Sequence, residues 1–139
     1  MHVECYETIP KGAIDIRKTV FIDEQGFQNE FDDIDEISVH FLVVEESGVP
    51  IATCRLYFDD KRRSYILGRL AVIREHRGKH IGAYLISAVE EHVKMTGGKQ
   101  IQLHAQCRIE KFYARLGFIP FGQMDDDEGV PHIWMKKEI

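Results

Sequence analysis

Cysteine is scarce in this chain of 139 residues: Cys5, Cys54 and Cys107 are all it has. Three thiols cannot all pair with one another and show no metal-ligand spacing, which excludes a disulfide scaffold and points to reduced thiols in a cytoplasm. The three cysteines and seven histidines form no complete zinc-site pattern, so no metal is expected. Long apolar runs are missing as well. The longest fall far short of the ~20 residues a membrane span needs, and nothing at Met1 reads as a signal peptide. The Lys-Ser/Thr pair of a P-loop and the G-x-G-x-x-G of a dinucleotide site are both lacking. Nor is there a surplus of positive charge: the net charge is −5, which argues against a nucleic-acid binder. Repeats, linkers and low-complexity segments are absent.

What is present is an ordinary globular composition, 44% hydrophobic and 29% charged, expected to form one domain over residues 1–139. A chain of this length removes roughly two-thirds of its unfolded surface from water. The charge is uneven. Basic residues gather at Arg74 to His80 and at Arg108, Lys111 and Arg115, acidic ones at Glu30 to Glu36 and Asp125 to Glu128. A basic site with acidic loops suits an anionic cofactor and a cationic amine, although solvated loops account for the acidic runs equally well.

Alternation and turn residues predict strands at Val3 to Glu7, Val39 to Glu45, Ile51 to Phe58, Tyr65 to Ile73, Ile101 to Ala105, Phe118 to Gln123 and His132 to Lys137. Helical spacing covers Pro10 to Gln25, the segment from Ile81 to Met95 or Thr96 stopped by Gly97-Gly98, and a short helix carrying Ile109, Phe112, Tyr113 and Leu116. The order β-α-β-β-β-α-β-α-β-β is mixed α/β.

The segment with most chemical content is V-I-R-E-H-R-G-K-H-I-G-A-Y-L-I, Val72 to Ile86, where a strand enters a basic turn and the turn opens into a helix. A helix start exposes unpaired N–H donors at the positive end of the dipole and favours phosphates. Gly78 and Gly82 would let the backbone approach a pyrophosphate without Cβ interference. Arg74, Arg77 and Lys79 add charge, and His76 and His80 add donors. A merely solvated turn is the plain alternative.

R-G-K-H-I-G, Arg77 to Gly82, resembles the acyl-CoA pyrophosphate loop of the GNAT superfamily of N-acetyltransferases, Arg/Gln-x-x-Gly-x-Gly/Ala, with His80 where the middle glycine is usual. F-Y-A-R-L-G-F, Phe112 to Phe118, looks like the family's late helix and following strand. V-F-I-D-E-Q-G-F at Val20 to Phe27, Ile34-Asp35, Ala105-Gln106 and Val130 to His132 are similar to the small bacterial ElaA- and YjcF-type branch. The resemblance implies the GNAT α/β fold, a mixed sheet of about seven strands splayed at the fourth and flanked by helices. It implies acetyl-CoA as co-substrate, bound by Leu70, Ala71, Val72, Arg77, Gly78, Lys79, His80, Ile81, Gly82, Ala83, Phe112 and Arg115. Glu24, Gln25, Asp35, Arg55, Arg69 and Gln106 match positions recurring in this branch and are read as a polar substrate pocket. For Arg55 and Arg69, ion pairs with Glu24 or Asp35 are an equal account, because buried charges need partners.

An amine attacks only when deprotonated, and neutralising one of pKa near 10.4 at pH 7 costs about 4–5 kcal/mol. Attack on a thioester creates an oxyanion, for which one backbone donor is worth roughly 2.7–4 kcal/mol; the resemblance implies that it comes from near Leu70 to Val72. The resemblance implies Tyr113, which matches the tyrosine of the family's late helix, as the acid for the leaving thiolate, against the alternative of an aromatic packed like Phe112. For the base His104 is taken, with Glu24, Asp35, Glu36 and His132 also open. Cys107 as an acyl-enzyme nucleophile is set below direct transfer in a ternary complex. The expected reaction moves acetyl from acetyl-CoA to a primary amine of a small molecule or peptide. The rivals are a non-catalytic acyl-CoA-binding module and a phosphate-binding interaction protein; a homodimer is the default assembly.

Overall fold

Seven strands form one sheet in the computed structural model, which describes residues 1–139. In chain order the elements are β1 (His2–Tyr6), α1 (Lys11–Arg17) running into a π-helix (Lys18–Glu24), α2 (Ile34–Ile37), β2 (Val39–Val44), β3 (Pro50–Asp59) and β4 (Ser64–Val72). A 3₁₀ turn (Arg74–His76) leads to α3 (Ile81–Met95) and β5 (Gln100–Gln106). A second 3₁₀ turn (Cys107–Ile109) leads to α4 (Glu110–Arg115), β6 (Ile119–Asp127) and β7 (Val130–Glu138). The sheet order is β1-β2-β3-β4-β5-β7-β6, antiparallel except for the parallel β4–β5 pair.

Both faces of the sheet are covered. Along β2 the pleat sends Phe41 and Val43 into a core with Leu85, Ile86, Val89 and Val93 of α3. It sends Leu42 and Val44 to the other face, against Ala13, Ile16, Val20 and Phe21 of the first helix. Apolar residues at both parities make β2 a continuous hydrophobic run, as strands covered on two sides are.

The helix expected over Pro10 to Gln25 is present, with Pro10 as its N-cap, but its second half widens to the π form. Gly97 (φ 81°) closes α3 in a Schellman arrangement: its N–H donates to Lys94 O and that of Gly98 to Val93 O, 3.1 and 2.8 Å. Gly98 itself is required by space, since a Cβ there would lie 2.5 Å from Val93 Cγ1. Two expectations change. The single turn α2 falls in the segment read only as an acidic run, and Asp125 to Asp127 is strand, not loop. The hairpin turn is confined to Glu128-Gly129, whose positive φ values of 51° and 81° suit a two-residue loop between Asp127 and Val130. β6 is exposed on both faces, so no apolar period marks it.

Candidate active site

β4 and β5 pair only from Tyr65↔Ile101 to Leu67↔Leu103, and then part, although β4 continues to Val72 and β5 to Gln106. Just past the parting β4 bulges: Arg69 and Leu70 stand opposite the single residue Cys54 of β3, and Arg69 takes a left-handed φ of 53°. Two spaces meet in the resulting gap. A cleft of ≈ 810 Å³ runs from Leu70, Ala71 and Val72 past the basic turn to the start of α3 and Phe112. A chamber of ≈ 90 Å³ lies among Glu30, Arg69, His104, Tyr113, Glu128 and His132. Phe27, Leu70, Gln106 and Ile109 line both spaces and form the passage between them.

The cleft is built for an anion. His80 takes the left-handed conformation (φ 62°, ψ 21°) that glycine would adopt there and caps α3, so the loop geometry survives the side chain. Histidine is among the residues that enter this region at modest cost. Gly78 is also left-handed, at φ 78°, with open space where its Cβ would be. Gly82 serves packing: a Cβ there would meet Phe112 Cζ at 3.0 Å. Arg77 braces the turn, its Nε donating to Val72 O at 2.9 Å and its guanidinium reaching Glu24 at 3.0 and 3.1 Å. The hydrogen bond from Arg77 holds Glu24 below the usual carboxylate range, so Glu24 is ionised and engaged rather than a free base.

Of the residues expected to hold the cofactor, Leu70, Ala71, Val72, Arg77, Gly78, His80, Ile81, Gly82 and Phe112 line the cleft. Lys79 faces an adjoining hollow beside Met1 and Glu45, while Ala83 and Arg115 line neither cleft nor chamber. The expected substrate residues divide. Gln25 and Gln106 meet across the cleft, with Nε2 of Gln106 donating to Oε1 of Gln25 at 2.8 Å. Glu24 lines the cleft and Arg69 the chamber. Asp35 and Arg55 sit instead in a buried ionic network and themselves line neither space. There Arg17, 1% exposed, donates to Glu30 (2.8 Å) and to both oxygens of Asp35 (2.8 and 3.1 Å). Arg55 reaches Asp35 (2.9 Å) and Asp32 (2.6 Å), and Arg69 reaches Glu30 and Asp32 at 3.1 and 3.4 Å. Against the cost of burial, the hydrogen bonds from Arg17 and Arg55 hold Asp35 at about 2. For Glu30 burial prevails over Arg69 and Arg17, and its carboxyl is pushed up.

In the chamber, burial pushes the Tyr113 phenol well above its ordinary value, so it stays protonated. His104 Nε2 donates to Asp125 at 2.6 Å, a bond that holds Asp125 below the usual carboxylate range. The His104 ring stacks on His132 (4.7 Å) and on Trp134 (4.9 Å). Glu128 at the hairpin tip accepts the N–H groups of Gln28 and Asn29 at 3.0 and 3.2 Å, and so closes the chamber against the loop after the π-helix. Glu30 and Glu128 escaped the sequence reading except as members of acidic runs. Their roles depend on partners up to a hundred residues away, and only the left-handed Glu128-Gly129 turn leaves a local signal.

Residues 7–139 match the family profile described as acetyltransferase (GNAT) domain. The chain is 33% identical over 132 residues to the uncharacterized protein YyaT of Bacillus subtilis, covering 91% of this chain and 87% of that protein. It is 29% identical over 130 residues to ElaA of Escherichia coli, covering 91% and 85%. The crystal structure of Escherichia coli ElaA superposes with a TM-score of 0.83 at 24% identity, covering 99% of this chain and all of the other. An aminoglycoside 6'-N-acetyltransferase complexed with coenzyme A has the same fold, with a TM-score of 0.80 at 16% identity and 99% and 97% coverage.

Proposed function

The chain belongs to the GNAT acetyltransferases, acyl-CoA-dependent N-acetyltransferases, and from this premise we propose that it moves the acetyl group of acetyl-CoA to a primary amine of a small molecule or peptide by direct attack in a ternary complex. The observation that carries the reading is the parting of β4 from β5, which joins an anion-suited cleft to a small chamber through one narrow passage. The thioester lies in that passage, with its pyrophosphate at the N-terminus of α3 and the amine in the chamber.

Each residue group then has a task. Main-chain groups of Leu70 to Val72, freed from a β5 partner, hold the pantetheine arm and supply the donor to the oxyanion. Gly78, His80 and the first N–H groups of α3 receive the pyrophosphate, with Arg74 and Arg77 adding charge. Tyr113 gives its proton to the departing thiolate. The phenol is held protonated by burial. Arg69 and Gln106 border the acceptor.

Calorimetry with acetyl-CoA, CoA and ATP tests the cofactor assignment, and release of free thiol across a panel of primary amines tests the reaction. CoA-selective binding followed by amine-dependent thiol release is expected. Equal binding of ATP would overturn the assignment of the cleft, and binding without thiol release from any amine would leave a non-catalytic module. Tyr113→Phe should lower kcat by about 10²–10⁴-fold while leaving the acetyl-CoA Kd in place.

A further inference from the structure

We infer that His132, rather than His104, is the base that takes the amine proton; the inference rests on the reaction just proposed. The chamber and its rim offer six acceptors, and four are committed. Glu30 is held by Arg17 and Arg69. Asp125 accepts from His104, Glu128 accepts two main-chain N–H groups, and His104 has its Nε2–H on Asp125. His104 is left with the Nδ1 edge, the one beside its own main chain. Asp127 lies exposed on the hairpin, where water competes for it.

His132 differs in three ways. Its Nδ1 lies 2.8 Å from Val130 O, and a carbonyl can only accept, so the proton sits on Nδ1 and the lone pair on Nε2. It is 6% exposed and lines the chamber together with Tyr113. Its ring stacks on that of His104, which stacks in turn on Trp134, and Arg62 caps the indole at 3.5 Å. Asp125 stands opposite His132 in the β6–β7 register, and its ionised carboxylate favours the imidazolium once formed. The other charged or titratable groups lining the chamber with it are His104, Glu30, Arg69, Asp127, Glu128 and Tyr113.

The proton balance closes. The amine nitrogen bonds to the thioester carbon and becomes far more acidic in the tetrahedral adduct, within reach of an imidazole. Nε2 of His132 takes that proton and the electron pair stays on nitrogen. The C–S bond breaks, its pair leaves on sulfur, and sulfur takes the Tyr113 proton. Return of a proton from His132 to the phenolate through solvent restores both groups, for a net conversion of amine and thioester to amide and thiol.

The test uses His132→Asn, which keeps a donor toward Val130 O and removes the basic nitrogen. Its kcat/KM for the amine should fall by about 10²–10⁴-fold with acetyl-CoA affinity retained, and the fall of kcat/KM towards acid pH, the acid limb of the pH–rate profile, should vanish. Imidazole added to the assay should restore part of the rate. His104→Phe, which keeps a stacking ring, should be slower yet keep the limb. An unchanged rate in His132→Asn, or a limb lost only in His104→Phe, overturns the assignment. In the unaltered protein, ¹⁵N-imidazole spectra should show the Nδ1–H tautomer at His132; the Nε2–H tautomer overturns it without any variant. Failure of the acetyltransferase reading is separate, since there the unaltered protein would release no thiol with any amine.

Discussion

At His80 the backbone holds a glycine's conformation on a residue that has a side chain, at a cost of roughly 1–2 kcal/mol relative to the right-handed region. Glycine is itself more costly to order, so His80→Gly should raise stability by no more than about 1 kcal/mol in denaturant titrations, with acetyl-CoA binding preserved. The motif R-G-K-H-I-G was legible in the sequence because all its parts are neighbours. Asp35 was legible as a possible ion-pair partner of Arg55, which it is, but its other partner, Arg17, left no signal. Its carboxyl is held at about 2 against an ordinary 3.8, so the folded state gains above pH 4 and loses that gain as pH falls towards 2. The contribution is about 2 kcal/mol. Asp35→Asn should therefore flatten the acid limb of the stability profile, and, by leaving Arg17 and Arg55 underpaired, cost about 3–5 kcal/mol at neutral pH. Glu30, pushed up by burial, acts in the opposite sense and softens the wild-type limb.

Among elements, the strands buried on at least one face announce themselves by their apolar pattern, and β2 to β5 stand close to where the sequence puts them. The π-helix, α2 and β6 do not. The first is a change of pitch within an apolar run, the second is one turn long, and the third has little buried face. The chamber was illegible for a related reason, since it draws residues from the first helix's end, β4, β5, α4 and the β6–β7 hairpin. That hairpin reaches the chamber through the Glu128 carboxylate alone among its side-chain bonds to the facing loop. Glu128→Ala should raise KM for the amine several-fold and leave the acetyl-CoA Kd unchanged. Its stability should change by about 1 kcal/mol, because the bonds are exposed. Steady-state kinetics beside a urea titration separate the two effects.

Across the whole molecule, charge is sorted by compartment despite a net −5. At the cleft Arg74, Arg77 and Arg108 outnumber Glu24, whereas in the chamber Glu30, Asp127 and Glu128 outnumber Arg69. Each opening attracts a ligand of the opposite sign, so acetyl-CoA binding should weaken as ionic strength rises, over the range in which the screening length falls from about 10 Å to 3 Å. Calorimetry across a salt series reads this directly. The point where the compartments join is bounded by main chain, because β4 and β5 lack hydrogen bonds to each other beyond Leu67. A compound anchored on the peptide groups of Leu70 to Val72 would meet the same surface whichever side chains stood there. Resistance to it would have to arise by shifting a strand or by a proline that removes an anchoring N–H, since other exchanges would leave its anchor in place.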